Sequence, residues 1–490
     1  MNRQITRVAV VGLVLLASLI VGTTYWQAWA ASGLADRQDN AIQRVAEFSV
    51  KRGKIIAADG HTVLADNYRR KVGNQKLYFR KYPQRGLAAH IVGYSTQVRS
   101  RAGLEASEND FLTGSNTNLS TVLDTTLNKL KGETIEGNDL HLTLRPGAQR
   151  IALNALGGKC GAAVALDVKT GAVLVSVSSP TYDPNLIENH YNLATRPKFG
   201  CSPLFNRAEA GLYVPGSAFK VVTASAALDS GKFTIDSTFY DPGYCMEYGK
   251  KVLNFADQSG PEVFGRVNFT QAMQHSINAV FCNIGKAIGA TAILNHAKHF
   301  GFYSVPPLET PVNERSISGL YDKGRLFFPK NDFQVDPGRL AFGQERLQVT
   351  PLQMAMVTAG IANGGVVMKP YSVEKITAPD GATVFRTHPH VLSRAISAQT
   401  AATLTQMMEK VVQSGTGTAA QIPGVPVAGK TGTAETGVNH VNTTSFVAFA
   451  PANAPKVAVA VYLENQHGVG GQTAAPIAKQ IMEALLRGRP

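Results

Sequence analysis

The sequence contains few cysteines, and they lie far apart. Only four occur among 490 residues: Cys160, Cys201, Cys245 and Cys282. Their wide spacing argues against a metal cluster, because cysteines that bind a metal usually come in closely spaced pairs. In an oxidising compartment the four could form two disulfides. Three pairings are possible, and the spacing does not select one of them.

The signs of a nucleic-acid-binding protein are also missing. The net charge is +14, yet no basic helix and no alternation of basic with aromatic residues accompanies it. DNA and RNA are therefore not expected partners. The positive charge suits an anionic membrane or cell-wall surface, or it only keeps the surface soluble. With 44% hydrophobic residues the chain can form two or more domains, and it has no internal repeat and no low-complexity tail.

A phosphate-binding loop is not expected, although one stretch matches its motif. GVPVAGKTGTAE, residues 424–435, fits G-x-x-x-x-G-K-[ST] with Lys430 as the lysine. Such a loop needs a strand before it and a helix after it, because the N-terminus of the helix binds the anion. Pro426 interrupts the upstream segment, and the downstream residues lack helical spacing. SFVAFAP and KVAVAVYLE follow, so we predict strand, turn and strand here, and no nucleotide partner.

The N-terminus contains the longest uncharged apolar stretch. Arg3 and Arg7 precede residues 8–26, which carry no charge and are long enough to cross a bilayer once. We predict a cytoplasmic tail at 1–7, a transmembrane signal anchor at 8–30 and an extracytoplasmic remainder, because positive charge stays inside. The alternative is a cleaved signal peptide, since Ala28-Trp29-Ala30 imitates a cleavage site.

The sequence changes in character near residue 145. Residues 31–145 contain a predicted hairpin around Asp59-Gly60 and no plausible pair of nucleophile and base. Residues 146–490 predict a helix, a hairpin at 161–179, a helical middle, closing strands and a final helix. Strands from both ends around a helical middle indicate one sheet whose edge is completed late. The predicted fold class is therefore α+β, built in α/β layers with helices flanking a sheet.

Three short motifs in this second region contain residues suited to nucleophilic catalysis. YVPGSAFK places Ser217 at a predicted helix start, with Lys220 one turn further on the same face. A serine hydroxyl is a weak nucleophile, so it needs an adjacent base, and a desolvated lysine can act as one. S-x-x-K alone is common. Ser276-Ile277-Asn278 and Lys430-Thr431-Gly432 follow it, however, and the ordered set S-x-x-K, S-x-N, K-T-G is specific for enzymes that act on penicillin-like substrates.

With these motifs the chain resembles a class B penicillin-binding protein, a membrane-anchored D,D-transpeptidase of peptidoglycan, and most closely the short actinobacterial type. RGKIIAADGHTVLA and AGLEASENDFLTG resemble the family's N-terminal module, and FGQERLQVTPLQMA resembles its catalytic domain. The resemblance implies a transpeptidase domain of the serine β-lactamase-like fold at 146–490. It also implies an elongated, β-rich pedestal or dimerisation-like module at 31–145. No glycosyltransferase module fits there, and no metal or organic cofactor is implied.

The resemblance also implies a role for each motif residue. Ser217 attacks the bond between the last two D-alanines of a stem peptide, and Lys220 is its base. Ser276 passes a proton to the leaving amine while Lys430 keeps that network polarised. Asn278 hydrogen-bonds the amide of the substrate. β-Lactams are expected to acylate Ser217 as well.

The same resemblance implies that the residues directly after Lys430 on its strand bind the substrate. The hydroxyls of Thr431 and Thr433 would hold the terminal carboxylate, with Gly432 between them. The backbone N–H groups of Ser217 and Thr433 would form the oxyanion hole.

Other interpretations and several details stay open in the sequence. A secreted β-lactamase, a β-lactam sensor and a structural division protein with an inactive site are the alternatives. A membrane glycosyltransferase and proteins of division or elongation are expected partners, but septation, elongation and sporulation are not distinguished. Cys245 and Cys282 flank the S-x-N segment, so a bridge between them would brace the loop that carries Ser276.

Overall fold

Helices and strands follow one another through most of the chain that the computed structural model describes, namely residues 2–25, 48–73, 75–97, 99–115, 134–257, 260–435 and 441–488. The longer helices are α1 (Asn2–Thr24), α2 (Pro146–Leu156), α3 (Lys220–Asp229), α4 (Phe269–Gln274), α5 (Asn278–Ile288), α6 (Ala290–His299), α7 (Pro351–Ala362), α8 (Ala398–Ser414) and α9 (Ala475–Leu486). Shorter helices span Ala89–Val92, Leu104–Ser107, Asn109–Thr113, Tyr191–Thr195, Pro337–Ala341 and Gly470–Thr473.

The strands are numbered along the chain. The first twelve are β1 (Ile55–Ile56), β2 (Val63–Val72), β3 (Gln75–Lys81), β4 (Tyr94–Ser95), β5 (Arg101–Ala102), β6 (Asp139–Leu142), β7 (Gly161–Asp167), β8 (Val173–Ser179), β9 (Thr238–Asp241), β10 (Tyr244–Glu247), β11 (Lys250–Leu253) and β12 (Ala256–Asp257). The others are β13 (Gly260–Pro261), β14 (Gly265–Asn268), β15 (Gly319–Asp322), β16 (Arg325–Phe327), β17 (Leu347–Gln348), β18 (Val366–Met368), β19 (Val373–Thr377), β20 (Thr383–Arg386), β21 (Val391–Arg394), β22 (Ala428–Glu435), β23 (Asn442–Ala450) and β24 (Val457–Gln466).

Helix α1 contains the apolar N-terminal stretch. Its segment Thr6–Thr24 is 19 residues long and none of it is buried against the protein. A helix of this length and composition can cross a bilayer, so the predicted candidate for a membrane span is confirmed. Residues 26–30 of the predicted anchor, which include both tryptophans and the cleavage-like Ala28-Trp29-Ala30, lie outside the described residues.

A five-stranded antiparallel sheet in the order β22-β23-β24-β7-β8 forms the centre of the second region. The two early strands β7 and β8 form the predicted hairpin, and the late strands complete the sheet. β22 lies at the edge. Lys430 on this strand is opposite Val447 of β23, which confirms the predicted strand on which Lys430 lies.

Helices cover both faces of this sheet, as the α+β prediction requires. On one face α2 and α9 pack against Val177 and Val459. On the other, α7 packs against Val164 and Ala460. Every residue of α7 is buried, because this helix runs between the sheet and further helices. Successive side chains of each strand point to opposite faces of the sheet, so they belong alternately to two separate cores.

A second sheet combines distant parts of the chain. Its six strands lie in the order β20-β19-β6-β1-β2-β3. β1 and β2 form the hairpin predicted around Asp59-Gly60. β19, from residues 373–377, pairs with β6, from residues 139–142, and β20 pairs with the other side of β19. Strands from both sides of residue 145 thus share one sheet, and the domain boundary proposed there stays a prediction.

Two disulfides pair the four cysteines. Cys160 is bonded to Cys201, and Cys245 is bonded to Cys282. The first joins the segment before β7 to the loop that precedes Ser217. The second joins β10 to α5, the helix that begins at Asn278.

A buried ion cluster lies in the first region. Glu105 is fully buried, and it accepts hydrogen bonds from Arg80 Nε at 2.6 Å and from Arg52 Nη2 at 2.9 Å. Burial alone would raise the pKa of Glu105, but Arg80 and Arg52 together hold it below its ordinary value. Removing one charge from such a cluster leaves the others buried without compensation.

We therefore expect Glu105→Gln to lower the free energy of unfolding by about 3–5 kcal/mol. The matched control is Glu136→Gln, because Glu136 pairs with Lys51 at 2.9 Å on the surface. That change should cost only about 0–1 kcal/mol. Denaturant titration of the detergent-solubilised chain measures both. Equal effects of the two substitutions would contradict the role given to the buried cluster.

Candidate active site

Ser217 lies on a short 3₁₀ turn, Gly216–Phe219, that leads directly into α3. The sequence predicted one continuous helix from Ser217, whereas regular α-helix begins only at Lys220. Gly216 has φ of +52°, and its N–H donates to the carbonyl of Gly343 at 3.0 Å. A side chain on Gly216 would collide with the carbonyl of Thr433, 2.7 Å from its Cβ position. The turn is therefore pressed against strand β22.

Gly432 makes this contact possible from the strand side. A Cβ atom at Gly432 would lie 2.2 Å from Ser445 Oγ and 2.7 Å from the carbonyl oxygen of Pro215. Any side chain would thus push β22 away from the turn that carries Ser217. The contacts of Gly432 explain why this position needs a residue without a side chain.

Ser276 lies between α4 and α5. Asn268 and Gln271 form a capping box that fixes the start of α4, and α4 ends before His275. Ser276 has φ of +61°, an uncommon conformation for a residue with a side chain. This conformation turns the chain sharply, so α5 starts at once with Asn278. The S-x-N motif therefore occupies the corner between two helices.

Two fully buried lysines meet at Ser276. Lys430 Nζ donates to Ser276 Oγ at 2.7 Å. Lys220 Nζ contacts the carbonyl oxygen of Ser276 at 2.6 Å, Asn278 Oδ1 at 2.8 Å and Ser276 Oγ at 3.3 Å. Both lysine side chains have 0% exposure. Four of the five predicted catalytic side chains thus form one hydrogen-bonded group.

Each of the two amines has three hydrogen-bond acceptors within reach. An ammonium group has three N–H bonds, and Lys430 has three acceptors: Ser276 Oγ, the carbonyl oxygen of Thr431 at 3.0 Å and Thr431 Oγ1 at 3.4 Å. A neutral amine has two N–H bonds and a lone pair. In a neutral Lys220 the two N–H bonds suit the two carbonyl-type oxygens, at 2.6 and 2.8 Å, and the lone pair is left for a serine hydroxyl.

The pKa shifts distinguish the two lysines. Burial, together with the positive charge of Lys430, holds the pKa of Lys220 well below its ordinary value. Burial lowers the pKa of Lys430 to about 7. Because the charge of Lys430 acts on Lys220, Lys220 loses its proton first. The pair then holds one positive charge, on Lys430.

The threonines of β22 contact two further loops. Thr431 Oγ1 lies 2.7 Å from Thr416 Oγ1, and Thr433 Oγ1 accepts a hydrogen bond from the N–H of Gly470 at 3.2 Å. Thr431 is buried and Thr433 is half-buried. The segment at Thr416 follows α8 and also contacts the end of α4, since its N–H donates to the carbonyl of Gln274.

The contact of Thr416 with Thr431 was not predicted from the sequence. Thr416 follows a glycine in the stretch SGTGTA, and a threonine there resembles an ordinary loop residue. Gly343 lies in the loop after the short helix Pro337–Ala341, and its carbonyl holds the turn of Ser217. Glu435 is exposed at the end of β22, and His440 lies outside the described residues.

Comparisons with known proteins identify the family of the chain. The family model for the penicillin binding protein transpeptidase domain matches residues 161–483. The model for the penicillin binding protein A dimerisation domain matches residues 52–140. The chain is 35% identical to peptidoglycan D,D-transpeptidase PbpA of Mycobacterium tuberculosis, over 100% of both chains. It is 36% identical to PbpA of Mycolicibacterium smegmatis, over 99% of both.

Solved structures show the same fold. The ceftriaxone acyl-enzyme complex of penicillin-binding protein A from M. tuberculosis aligns with a TM-score of 0.80 and 33% identity, covering 90% of this chain and 100% of that one. The D,D-transpeptidase domain of a peptidoglycan glycosyltransferase from Eggerthella lenta aligns with a TM-score of 0.76 and 33% identity, covering 90% and 99%. The chain belongs to the penicillin-binding proteins, the serine D,D-transpeptidases.

Proposed function

We propose that this chain crosslinks peptidoglycan as a serine D,D-transpeptidase with Ser217 as its nucleophile. The observation that carries the proposal is the convergence of Lys220 and Lys430 on Ser276, beside the turn of Ser217. A buried pair of lysines that shares one charge supplies a base and a fixed cation side by side. The relative whose structure was solved as a ceftriaxone acyl-enzyme supports the same chemistry.

In the first half-reaction, Ser217 Oγ attacks the carbonyl carbon between the last two D-alanines of a donor stem peptide. Its proton passes to the lone pair of Lys220. The C–N bond then breaks, and the proton passes through Ser276 Oγ to the nitrogen of the leaving D-alanine. In the second half-reaction an amine of an acceptor stem attacks the ester, and the proton path runs in reverse.

Charge that develops during these steps is met by fixed groups. The N–H groups of Ser217 and Thr433 are the proposed oxyanion hole, because the turn and strand β22 are pressed together at that point. The hydroxyls of Thr431 and Thr433, with the nearby charge of Lys430, suit the terminal carboxylate. Asn278 has two N–H bonds, of which one donates to the carbonyl of Leu253 and the other suits a substrate carbonyl.

The domain order suggests how the enzyme reaches its substrate. Arg3 and Arg7, in the first two turns of α1 and before its uncharged stretch, favour a cytoplasmic N-terminus, with α1 as anchor and the remainder on the outer face of the membrane. Residues 31–145 then serve as a non-catalytic pedestal below the transpeptidase domain at 146–490. The matched domains, at 52–140 and 161–483, are a dimerisation and a transpeptidase domain, so a membrane glycosyltransferase is the proposed partner, together with proteins of division or elongation.

The direct test is the mass of the full-length protein after exposure to penicillin. We expect one covalent adduct that persists for many minutes, and none in Ser217→Ala with an unchanged circular dichroism spectrum. Ser230→Ala, at the other end of α3, is the matched control and should label normally. Rapid loss of the adduct would indicate a β-lactamase instead. Labelling of folded Ser217→Ala would show that another residue is the nucleophile.

The pH dependence of acylation should be bell-shaped. The second-order rate constant should rise as Lys220 loses its proton and fall as Lys430 loses its own, near pH 7. Both limbs report the free enzyme, because the second-order constant depends on its ionisation. Stopped-flow acylation by a fluorescent penicillin between pH 4.5 and 10 measures the profile. A rate that increases steadily to pH 10 would contradict a required charge on Lys430.

Removing the charge of Lys430 should slow the chemical step. We expect Lys430→Ala to lower the second-order acylation constant by about 10²–10⁴-fold, the range for a positioned proton-transfer or electrostatic group. Lys430→Arg should restore little, because a planar guanidinium cannot take the place of a compact ammonium. Near-normal acylation in Lys430→Ala, or micromolar binding of ATP to the wild type, would show that the motif at 424–431 had been assigned to the wrong chemistry.

A further inference from the structure

The carboxamide of Asn278 is held at both ends. Its oxygen accepts a hydrogen bond from Lys220 Nζ at 2.8 Å, and its nitrogen donates to the carbonyl oxygen of Leu253 at 3.1 Å. Leu253 is the last residue of β11, in a lobe of short hairpins formed by β9 to β14. The orientation of Asn278 therefore depends on the exact position of a backbone carbonyl outside the three motifs.

Asn254, the next residue, fixes that carbonyl to the helix of Asn278. It is 4% exposed, and its side-chain oxygen accepts the N–H of Ala279 at 2.9 Å. Helix α5 has Ile277 at its N-cap position, which cannot cap with its own side chain. Asn254 thus supplies the capping oxygen from a distant part of the chain. This contact joins the end of β11 to the first turn of α5.

Asp241 holds Asn254 in turn. Its carboxylate is fully buried, and the side-chain nitrogen of Asn254 donates to its two oxygens at 3.0 and 2.8 Å. The N–H groups of Gly243 and Phe264 also donate to it, at 2.9 and 3.0 Å. The carboxylate of Asp241 lies on one side of the Asn254 amide, and the N–H of Ala279 lies on the other. Only one orientation of the amide satisfies both, because a flipped amide would place its NH2 group against the N–H of Ala279.

We propose that Asp241 and Asn254 are positioning residues for the acylation of Ser217. They hold the carbonyl of Leu253 and the first turn of α5, and through both they orient Asn278 toward Lys220. The inference rests on the proposed function, because it assigns these residues a part in that reaction. The disulfide Cys245–Cys282 ties the same lobe to the second turn of α5, so the lobe as a whole stays attached when the network changes.

The substitution Asp241→Asn separates positioning from folding. An amide at position 241 offers an N–H where the N–H of Gly243 or Phe264 already points, so the network must rearrange. We expect the rate constant of acylation at saturating penicillin to fall about tenfold, as for loss of one hydrogen bond to a charged group. The concentration for half-saturation should change less than twofold. Asp236→Asn is the matched control, because Asp236 is exposed and lies two residues before β9.

The decisive measurement repeats the substitution in Asn278→Ala, with the full-length protein and a fluorescent penicillin. If Asp241 acts through Asn278, its substitution should lower the rate less than about twofold in that background, since coupled residues are not additive. Asn254→Ser, which leaves Asp241 its two backbone donors, provides a second cycle should Asp241→Asn fail to fold.

Each outcome bears on the proposal. A tenfold loss in both backgrounds would mean that Asp241 acts independently of Asn278 and would overturn it. An unchanged rate in Asp241→Asn, with wild type acylated normally, would overturn it as well while leaving the role of Ser217 intact. A wild type that forms no adduct would instead refute the proposed function.

Discussion

Two lysine amines buried around one serine hydroxyl are the constraint on which the site depends. Lys220 and Lys430 both have 0% exposure and both contact Ser276. Burying two like charges together is unfavourable, so one of the amines has to be neutral at moderate pH. The fold thus prepares a base and a cation in advance of any substrate. Burial away from water is also what distinguishes the amines of Lys220 and Lys430 from those of surface lysines.

This arrangement requires three parts of the chain that are far apart in sequence. Ser217 and Lys220 come from the start of α3, Ser276 from the corner before α5, and Lys430 from the edge strand β22. Glycines allow their close approach: Gly432 lets the strand lie against the turn, and Gly216 lets the turn lie against the strand. Completion of the central sheet by late strands is therefore a condition for the chemistry, because β22 brings the cation.

The motif residues and the order of elements could be predicted because their signals are local. S-x-x-K needs only one helical turn, and the alternation of apolar residues in β23 and β24 is visible in a short window. Contacts between segments that are distant in the sequence could not be predicted. Asp241 and Asn254 resemble turn residues in the sequence, and Thr416 resembles a loop residue. Likewise, nothing near residue 373 indicates that β19 pairs with β6.

We expect the two lysines to share a single positive charge, held on Lys430. NMR titration of the two Nζ groups in lysine-labelled enzyme, assigned with single lysine variants, observes this directly. Lys220 should already be neutral while Lys430 is still charged, and Lys430 should lose its proton near pH 7. Two ammonium signals that persist together to pH 9 would contradict it.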